Sequence, residues 1–218
     1  MVRVKICGIK RKEDALAAIR YGADAIGLLV GKKYPSDDFI DETTAKNIVE
    51  SLPPLCSSVL VTHLTDTKTV IELAVFTRVT TIQLHGDSSP ADAQKIKTAL
   101  PYVKLYKAVH IIDESSIDHA KQFLDSVDAI LADTVNTATG QVGGTGLTHD
   151  WSVSKNLVAA FNKPVILSGG LTPDNVVNAI ETVMPYGVDV NSGTQGADGY
   201  KDTTKLRLFI ERAKSFES

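Results

Sequence analysis

The stretch Pro164–Gly193, PVILSGGLTPDNVVNAIETVMPYGVDVNSG, contains one complete unit of the pattern that runs through the whole chain. It begins with the short apolar run Pro164–Ser168 and ends with a second apolar run, Gly187–Asn191. Between them, Pro173–Thr182 places apolar residues three and four positions apart. Near-continuous apolar runs are typical of parallel strands buried on both faces, and the wider spacing is typical of an amphipathic helix. The stretch therefore predicts a strand, a helix and a second strand.

The same alternation extends in both directions from this unit. The apolar runs predict eight strands at Arg3–Cys7, Asp24–Val30, Ser57–Thr62, Thr80–His85, Val103–Val109, Val127–Ala132, Pro164–Ser168 and Gly187–Asn191. The segments between and after them predict helices at Glu13–Tyr21, Glu42–Ser51, Thr67–Phe76, Pro90–Leu100, Ser115–Leu124, Trp151–Phe161, Pro173–Thr182 and Thr203–Ser215. The pairs Ser89-Pro90 and Thr172-Pro173 read as helix N-caps followed by proline at the first helical position.

Eight strand–helix units in 218 residues average about 27 residues each, close to the ~30 of a βαβ unit. No linker rich in proline, glycine or serine interrupts them, so residues 1–218 are predicted to form one domain. The alternative is an open doubly wound sheet, which usually has only about five or six parallel strands. The pattern therefore predicts a single (β/α)8 TIM barrel of the α/β class.

Composition excludes several classes of function. The 23 basic and 26 acidic residues give a net charge of −3 without long blocks of either sign, so nucleic acid is not an expected partner. Two cysteines cannot form a disulfide framework, and no signal-peptide or membrane-length apolar segment is present, so we expect a cytoplasmic protein with no membrane partner. No histidine or cysteine pair has metal-binding spacing, so neither a metal nor a cofactor is expected.

Glycine-rich loops follow three consecutive predicted strands, the sixth to the eighth. Active sites of (β/α)8 barrels lie at the carboxyl ends of the strands, and phosphate is often bound there by backbone N–H groups of such loops. The sequence therefore predicts a phosphorylated ligand, although the glycines could also serve only to form tight turns. The predicted phosphate-binding residues are Gly144, Gly146, Ser168, Gly169, Gly170, Ser192 and Gly193.

Two reactive side chains are placed at the same predicted rim. Cys7 ends the first strand and Asp133 follows the sixth. A carboxyl at the mouth of a barrel can act as an acid if apolar walls raise its pKa. The alternatives are that Cys7 is a small buried hydrophobe and that Asp133 caps the next loop. His63, His85 and His110 also end strands at this rim, whereas Cys56, at the opposite end, is interpreted as structural.

Several motifs together resemble those of the phosphoribosylanthranilate isomerase family over the whole chain. They are VKICGI at Val4–Ile9, GADAIG at Gly22–Gly27, QLHGD at Gln83–Asp87, GGTG at Gly143–Gly146, ILSGGLTPDNV at Ile166–Val176 and YGVDVNSG at Tyr186–Gly193.

The resemblance implies a cofactor-free Amadori rearrangement in tryptophan biosynthesis, in which an aminoaldose phosphate becomes an aminoketose phosphate. By family analogy Asp133 is the general acid that opens the ribose ring, and Cys7 is the general base that removes the C2 proton. The implied substrate is a small phosphorylated sugar, with further contacts from Gln83, His85, Asp189, Lys32 and Lys33. The chain is expected to act as a monomer or homodimer.

The resemblance is weakest where the family binds the anthranilate group. An arginine follows the second strand in the family, whereas Asp38 stands at that position here. Asp37 and Asp38 are interpreted as part of a solvated loop, with Asp41 capping the next helix. This departure leaves two alternatives open: a paralogous isomerase acting on a different N-substituted phosphoribosylamine, and a non-catalytic phosphosugar-binding barrel.

Overall fold

The computed structural model describes residues 1–31, 37–136, 141–142 and 150–216. Its strands are β1 (Arg3–Ile6), β2 (Ala25–Leu29), β3 (Ser57–Thr62), β4 (Thr81–Leu84), β5 (Lys104–Ile111), β6 (Ala129–Asn136), β7 (Gln141–Val142), β8 (Val165–Leu167) and β9 (Gly187–Val190). Its helices are α1 (Lys12–Arg20), α2 (Glu42–Glu50), α3 (Thr67–Thr77), α4 (Pro90–Ala99), α5 (Ser115–Lys121), α6 (Trp151–Ala160), α7 (Val176–Val183) and α8 (Thr203–Lys214). A short 3₁₀ helix, Ser192–Thr194, follows β9.

The strands close into a parallel barrel. Their order is β5-β4-β3-β2-β1-β9-β8-β6, and a further pairing of β5 with β6 closes the sheet. The two-residue strand β7 pairs only with the end of β6, in the antiparallel direction, and lies outside the barrel. The prediction of a (β/α)8 TIM barrel is confirmed, and each predicted strand and helix overlaps an observed one.

The apolar side chains divide into a large outer core and a small inner one. Alternate strand residues such as Ile6, Leu28 and Ile82 belong to the continuous core that also contains the buried faces of the helices. Their neighbours point into the barrel, where two separate clusters form around Val61 and Leu131. Because a strand turns successive side chains to opposite faces, each inward position is two residues from the next.

Side-chain caps fix the starts of α2, α3, α4, α6 and α8. Ser89 caps α4 in a capping box with Asp92, and Pro90 is the first helical residue, as predicted. Asp41 caps α2 through the Thr44 amide, which also confirms the prediction for that residue. These caps satisfy backbone N–H groups that the helix itself leaves unpaired.

The predicted start of the seventh helix at Thr172-Pro173 is wrong. The helix α7 begins at Val176, and residues 172–175 form a turn instead. The side chain of Asn175 stabilises this turn: its oxygen accepts a 2.8 Å bond from the Thr172 amide, and its nitrogen donates to the Gly170 carbonyl at 3.0 Å. Asn side chains compete with helical backbone bonds in this way and favour turns.

In the part of the chain that the structure describes, no helix is both long enough and apolar enough to span a membrane.

Candidate active site

Cys7 lies directly after β1 and faces the interior of the barrel. Its amide donates a 2.8 Å bond to the Val190 carbonyl on β9, which fixes its height at the rim. The side chain is buried, with 7% exposure. Burial raises the pKa of the Cys7 thiol to about 11, partly offset by the positive charge of Lys5. Cys7 is therefore a thiol in the unliganded protein and needs help to become a thiolate.

Asp133 faces the same interior from β6. The carboxyl is 4% exposed, and burial raises its pKa to about 7 although the Thr134 amide donates to Oδ1 at 2.8 Å. Desolvation disfavours the charged carboxylate, so part of the population keeps its proton at neutral pH. Asp133 thus has the protonation state that a general acid requires.

His85 connects Asp133 to Gln83. His85 Nε2 lies 3.4 Å from Asp133 Oδ2, and its Nδ1 lies 3.0 Å from the Gln83 amide nitrogen. Burial lowers the pKa of His85 well below 6.5, so the ring is neutral. Because the nitrogen of the Gln83 amide can only donate, His85 Nδ1 is the acceptor and the ring proton is assigned to Nε2, which faces Asp133. The buried Gln83 Oε1 has no hydrogen-bond partner among the described residues.

Three histidines form a row along the rim beside Asp133. The ring centroids of His63 and His85 are 4.7 Å apart, and those of His85 and His110 are 5.6 Å apart. Phe39 extends the row, with its ring 5.8 Å from that of His63. Burial lowers the pKa of His110 to about 4, so it too is neutral. The sequence indicates each histidine at the rim singly, whereas the pairing of β3 with β4 and of β4 with β5 brings them together as one aromatic wall.

An ion pair lies inside the barrel next to Cys7. Lys5 Nζ is 2.9 Å from Asp189 Oδ1, and the side chains are 4% and 5% exposed. Burial acts to lower the pKa of Lys5, but Asp189 and Cys7 outweigh it and raise the pKa above its usual 10.5. Asp189 is a predicted substrate contact, whereas Lys5 is not among the residues identified from the sequence. The spacing could have indicated it, because a lysine two residues before Cys7 lies on the same face of the strand as Cys7.

The loops after β8 and β9 pack against each other at the rim. Gly169 and Gly170 have positive φ values of 87° and 63°, and a Cβ on Gly169 would overlap Thr134 Oγ1. A Cβ on Gly193 would overlap the Leu171 carbonyl oxygen. Such close approach requires glycine. Ser168 turns its hydroxyl inward, 3.5 Å from Asp189 Oδ2, and Ser192 begins the 3₁₀ helix.

Four predicted binding residues lie outside the described residues: Gly144, Gly146, Lys32 and Lys33.

Asp37 is exposed, in line with its interpretation as part of a solvated loop, whereas Asp38 is half-buried and its carboxylate is engaged by the loop after β9. The carboxylate of Asp38 accepts from Asn191 Nδ2 at 2.9 Å and from Gln195 Nε2 at 2.7 Å. Asn191 in turn accepts from the buried Lys201 Nζ at 2.9 and 3.0 Å. Asp38 therefore holds the loop after β9 in place, and the tertiary contact could not be read from local sequence.

The barrel thus presents a thiol and a protonated carboxyl to one interior space. Acid and base groups with different pKa values that face the same ligand suit a reaction moving protons at two positions of one molecule. The adjoining glycine-rich loops supply backbone donors of the kind that bind phosphate.

Comparison with known proteins agrees with this geometry. A family model described as N-(5'phosphoribosyl)anthranilate (PRA) isomerase matches residues 4–212. N-(5'-phosphoribosyl)anthranilate isomerase 2 of Methanosarcina mazei is 47% identical, and the match covers 98% of this chain and 95% of the relative.

Solved structures extend the likeness to three dimensions. A phosphoribosyl anthranilate isomerase in complex with reduced 1-(o-carboxyphenylamino)-1-deoxyribulose 5-phosphate superimposes with a TM-score of 0.84 at 33% identity, covering 99% of this chain and 100% of that one. A structure described as monomers generated from the dimeric enzyme of Thermotoga maritima gives the same TM-score, identity and coverage.

Proposed function

Since this chain belongs to the N-(5'-phosphoribosyl)anthranilate isomerase family, we propose that Asp133 and Cys7 are the acid and base of its reaction. The activity is that of an aldose–ketose isomerase in tryptophan biosynthesis. The substrate, N-(5'-phosphoribosyl)anthranilate, rearranges to its isomer 1-(o-carboxyphenylamino)-1-deoxyribulose 5-phosphate. Every atom is kept, the C1–O bond of the ribose ring breaks, and protons and double bonds move.

Asp133 starts the rearrangement. Its carboxyl proton passes to the ribose ring oxygen as the C1–O bond breaks, and the nitrogen lone pair forms a C1=N bond, giving the ring-opened Schiff base. Burial supports this role because it keeps the carboxyl protonated near neutral pH. The neutral His85 faces Asp133 with its Nε2 proton and positions the carboxylate that remains.

Cys7 completes it. The thiolate removes the C2 proton, the electron pair forms a C1=C2 bond, and the C1=N pair returns to nitrogen. The resulting enolamine then gains a proton at C1 while its C2 hydroxyl loses its proton, which gives the ketone. The thiolate is the reactive form, so the raised pKa of Cys7 must be lowered in the substrate complex.

The remaining predicted residues are assigned to binding. Backbone N–H groups of Gly169, Gly170, Ser192 and Gly193 are proposed to bind the phosphate, together with Gly144 and Gly146, whereas the Ser168 amide already donates to the Ala132 carbonyl and leaves only the hydroxyl of Ser168 for this role. The buried Gln83 Oε1 has no hydrogen-bond partner among the described residues, which costs free energy. It is therefore suited to accept a hydrogen bond from a ribose hydroxyl. The roles of Lys32 and Lys33 toward the anthranilate group stay predictions, as do cytoplasmic location and the monomer or homodimer state.

The observation that carries the assignment is the buried Asp133 carboxyl with a pKa of about 7 in the same interior as Cys7. The test is turnover of phosphoribosylanthranilate generated in situ, followed by loss of its fluorescence. We expect Cys7→Ser and Asp133→Asn to lower kcat by roughly 10²–10⁴-fold while the reduced product analogue still binds.

Cys56→Ser is the matched control, since Cys56 lies in the loop before β3 at the other end of the barrel, and it should leave kcat unchanged. Unchanged turnover in Cys7→Ser would end the assignment of the base. Expression of the wild-type chain should restore growth of a tryptophan auxotroph that lacks the isomerase, which would support phosphoribosylanthranilate as the physiological substrate. Failure of the purified protein to turn over phosphoribosylanthranilate would contradict that substrate.

A further inference from the structure

The proposed chemistry leaves the buried Lys5 without a role. A lysine ammonium inside a barrel is costly, because it loses its hydration and must be compensated by protein groups. Asp189 supplies one partner, 2.9 Å away. A buried ion pair of this kind adds little stability over apolar residues of similar volume. Its presence directly beside the reactive thiol therefore calls for a functional explanation.

Lys5 and Cys7 converge on one point of the neighbouring strand. A Cβ placed on Gly27 of β2 would lie 2.9 Å from Cys7 Sγ and 3.1 Å from Lys5 Nζ. The positive charge of Lys5 lowers the pKa of the Cys7 thiol, against the effect of burial. Gly27 thus leaves the space in which thiol and ammonium meet.

The charges around Cys7 come from three elements. Lys5 lies on the same strand, Asp189 faces it from β9, and Lys201 faces it from the segment before α8, while β2 contributes only the uncharged Gly27. Lys201 Nζ donates to Asn191, whereas Lys5 Nζ lies with Cys7 Sγ beside Gly27. Asp189 opposes the thiolate directly, yet it also keeps Lys5 in its charged form.

We propose that Lys5 is a positioning residue that makes Cys7 a base. Its ammonium, held by Asp189, bonds to the thiolate and offsets the free-energy cost of burying that negative charge. The proposal rests on the function assigned to Cys7. No proton is transferred to Lys5, because Asp189 fixes it in the charged state, and the cysteine proton leaves to bulk solvent before substrate chemistry.

The test measures the thiolate directly. In a Cys56→Ser background Cys7 is the only thiol of the chain, so its alkylation by iodoacetamide can be followed between pH 7 and about 10.5, alongside the pH profile of kcat/KM. The thiolate alone reacts, so the rate at fixed pH reports its population. We expect Lys5→Met to slow alkylation about tenfold or more, equivalent to at least one pH unit, and to lower kcat with little change in KM.

A second variant separates the two partners of the ion pair. Asp189→Asn removes a negative charge that disfavours the thiolate, but it also releases the Lys5 ammonium, so alkylation of Cys7 should change less than in Lys5→Met. A merely structural ion pair would change the alkylation rate equally in the two variants. If Lys5→Met fails to fold, Lys5→Met/Asp189→Asn replaces the pair by neutral groups, and its alkylation should be slower than that of Asp189→Asn alone.

Lys107→Met is the matched control. Lys107 is also 4% exposed, but its Nζ donates to the Gly86 carbonyl and does not face Cys7. It should lower thermal stability without moving the alkylation profile. An unmoved profile in Lys5→Met would overturn the proposal for Lys5. Activity retained in Cys7→Ser would instead overturn the proposed base, and alkylation would still report on Lys5.

Discussion

At the scale of single residues, Asp133 links the acid function to the pH dependence of stability. Below pH 3.8 both the folded and the unfolded protein carry this proton. Between there and about pH 7 only the folded carboxyl is protonated, so unfolding releases a proton and the free energy of unfolding falls as the pH rises. Over about three pH units this linkage lowers the free energy of unfolding by up to ~4 kcal/mol.

Asp133→Asn removes that linkage because an amide does not titrate. We therefore compare the Tm difference, variant minus wild type, at two pH values. We expect this difference to be several degrees higher at pH 8 than at pH 4.5. Thermal melts at the two pH values measure it. Asp118→Asn, at an exposed ion pair on α5, is the control and should show no such difference between the pH values. An identical offset at both pH values for Asp133→Asn would contradict the raised pKa.

Gly8, next to Cys7, offers a second prediction at this scale. Its φ is +69°, and a Cβ there would overlap Asn191 Oδ1. Gly8→Ala should therefore displace Asn191 from Asp38 and Lys201 and lower both kcat/KM and Tm. Gly22→Ala is the matched variant: its φ is +105°, but the nearest atom to a Cβ is 3.7 Å away. It adds backbone strain alone, about 1–3 kcal/mol, and should leave kcat unchanged.

At the scale of elements, a side-chain cap sets where α4 begins and makes no contact with the proposed catalytic residues. Ser89 accepts from the Asp92 amide and Asp92 accepts from the Ser89 amide, which completes the capping box of α4. Ser89→Ala should lower the free energy of unfolding by about 1 kcal/mol, measured by urea titration. Thr98→Ala, on the exposed face near the end of α4, should change it by less than about 0.5 kcal/mol. Equal losses in the two variants would argue against the cap.

At the scale of the whole molecule, stability and chemistry depend on different parts of the barrel. The outer core joins helices to strands, and Phe209 of α8 is completely buried in it. Phe209→Ala should cost about 3–5 kcal/mol, measured by urea unfolding at 25 °C. The inner residues Cys7 and Asp133 are not part of that core, so the pH profile of kcat/KM in the folded fraction should keep its shape. Phe76→Ala, 44% exposed on α3, is the control and should cost far less.

The sequence by itself determined the strands, the helices and the rim at which Cys7 and Asp133 lie. It could do so because hydrophobic periodicity is local: an apolar run or a three-to-four spacing is complete within one element. Only the tertiary structure decided which side chains meet. Lys5 and Asp189 are 184 positions apart, and Asp38 is 153 positions from Asn191. Closing the barrel joins such residues and removes water from around them, and this desolvation raises the pKa values of Asp133 and Cys7.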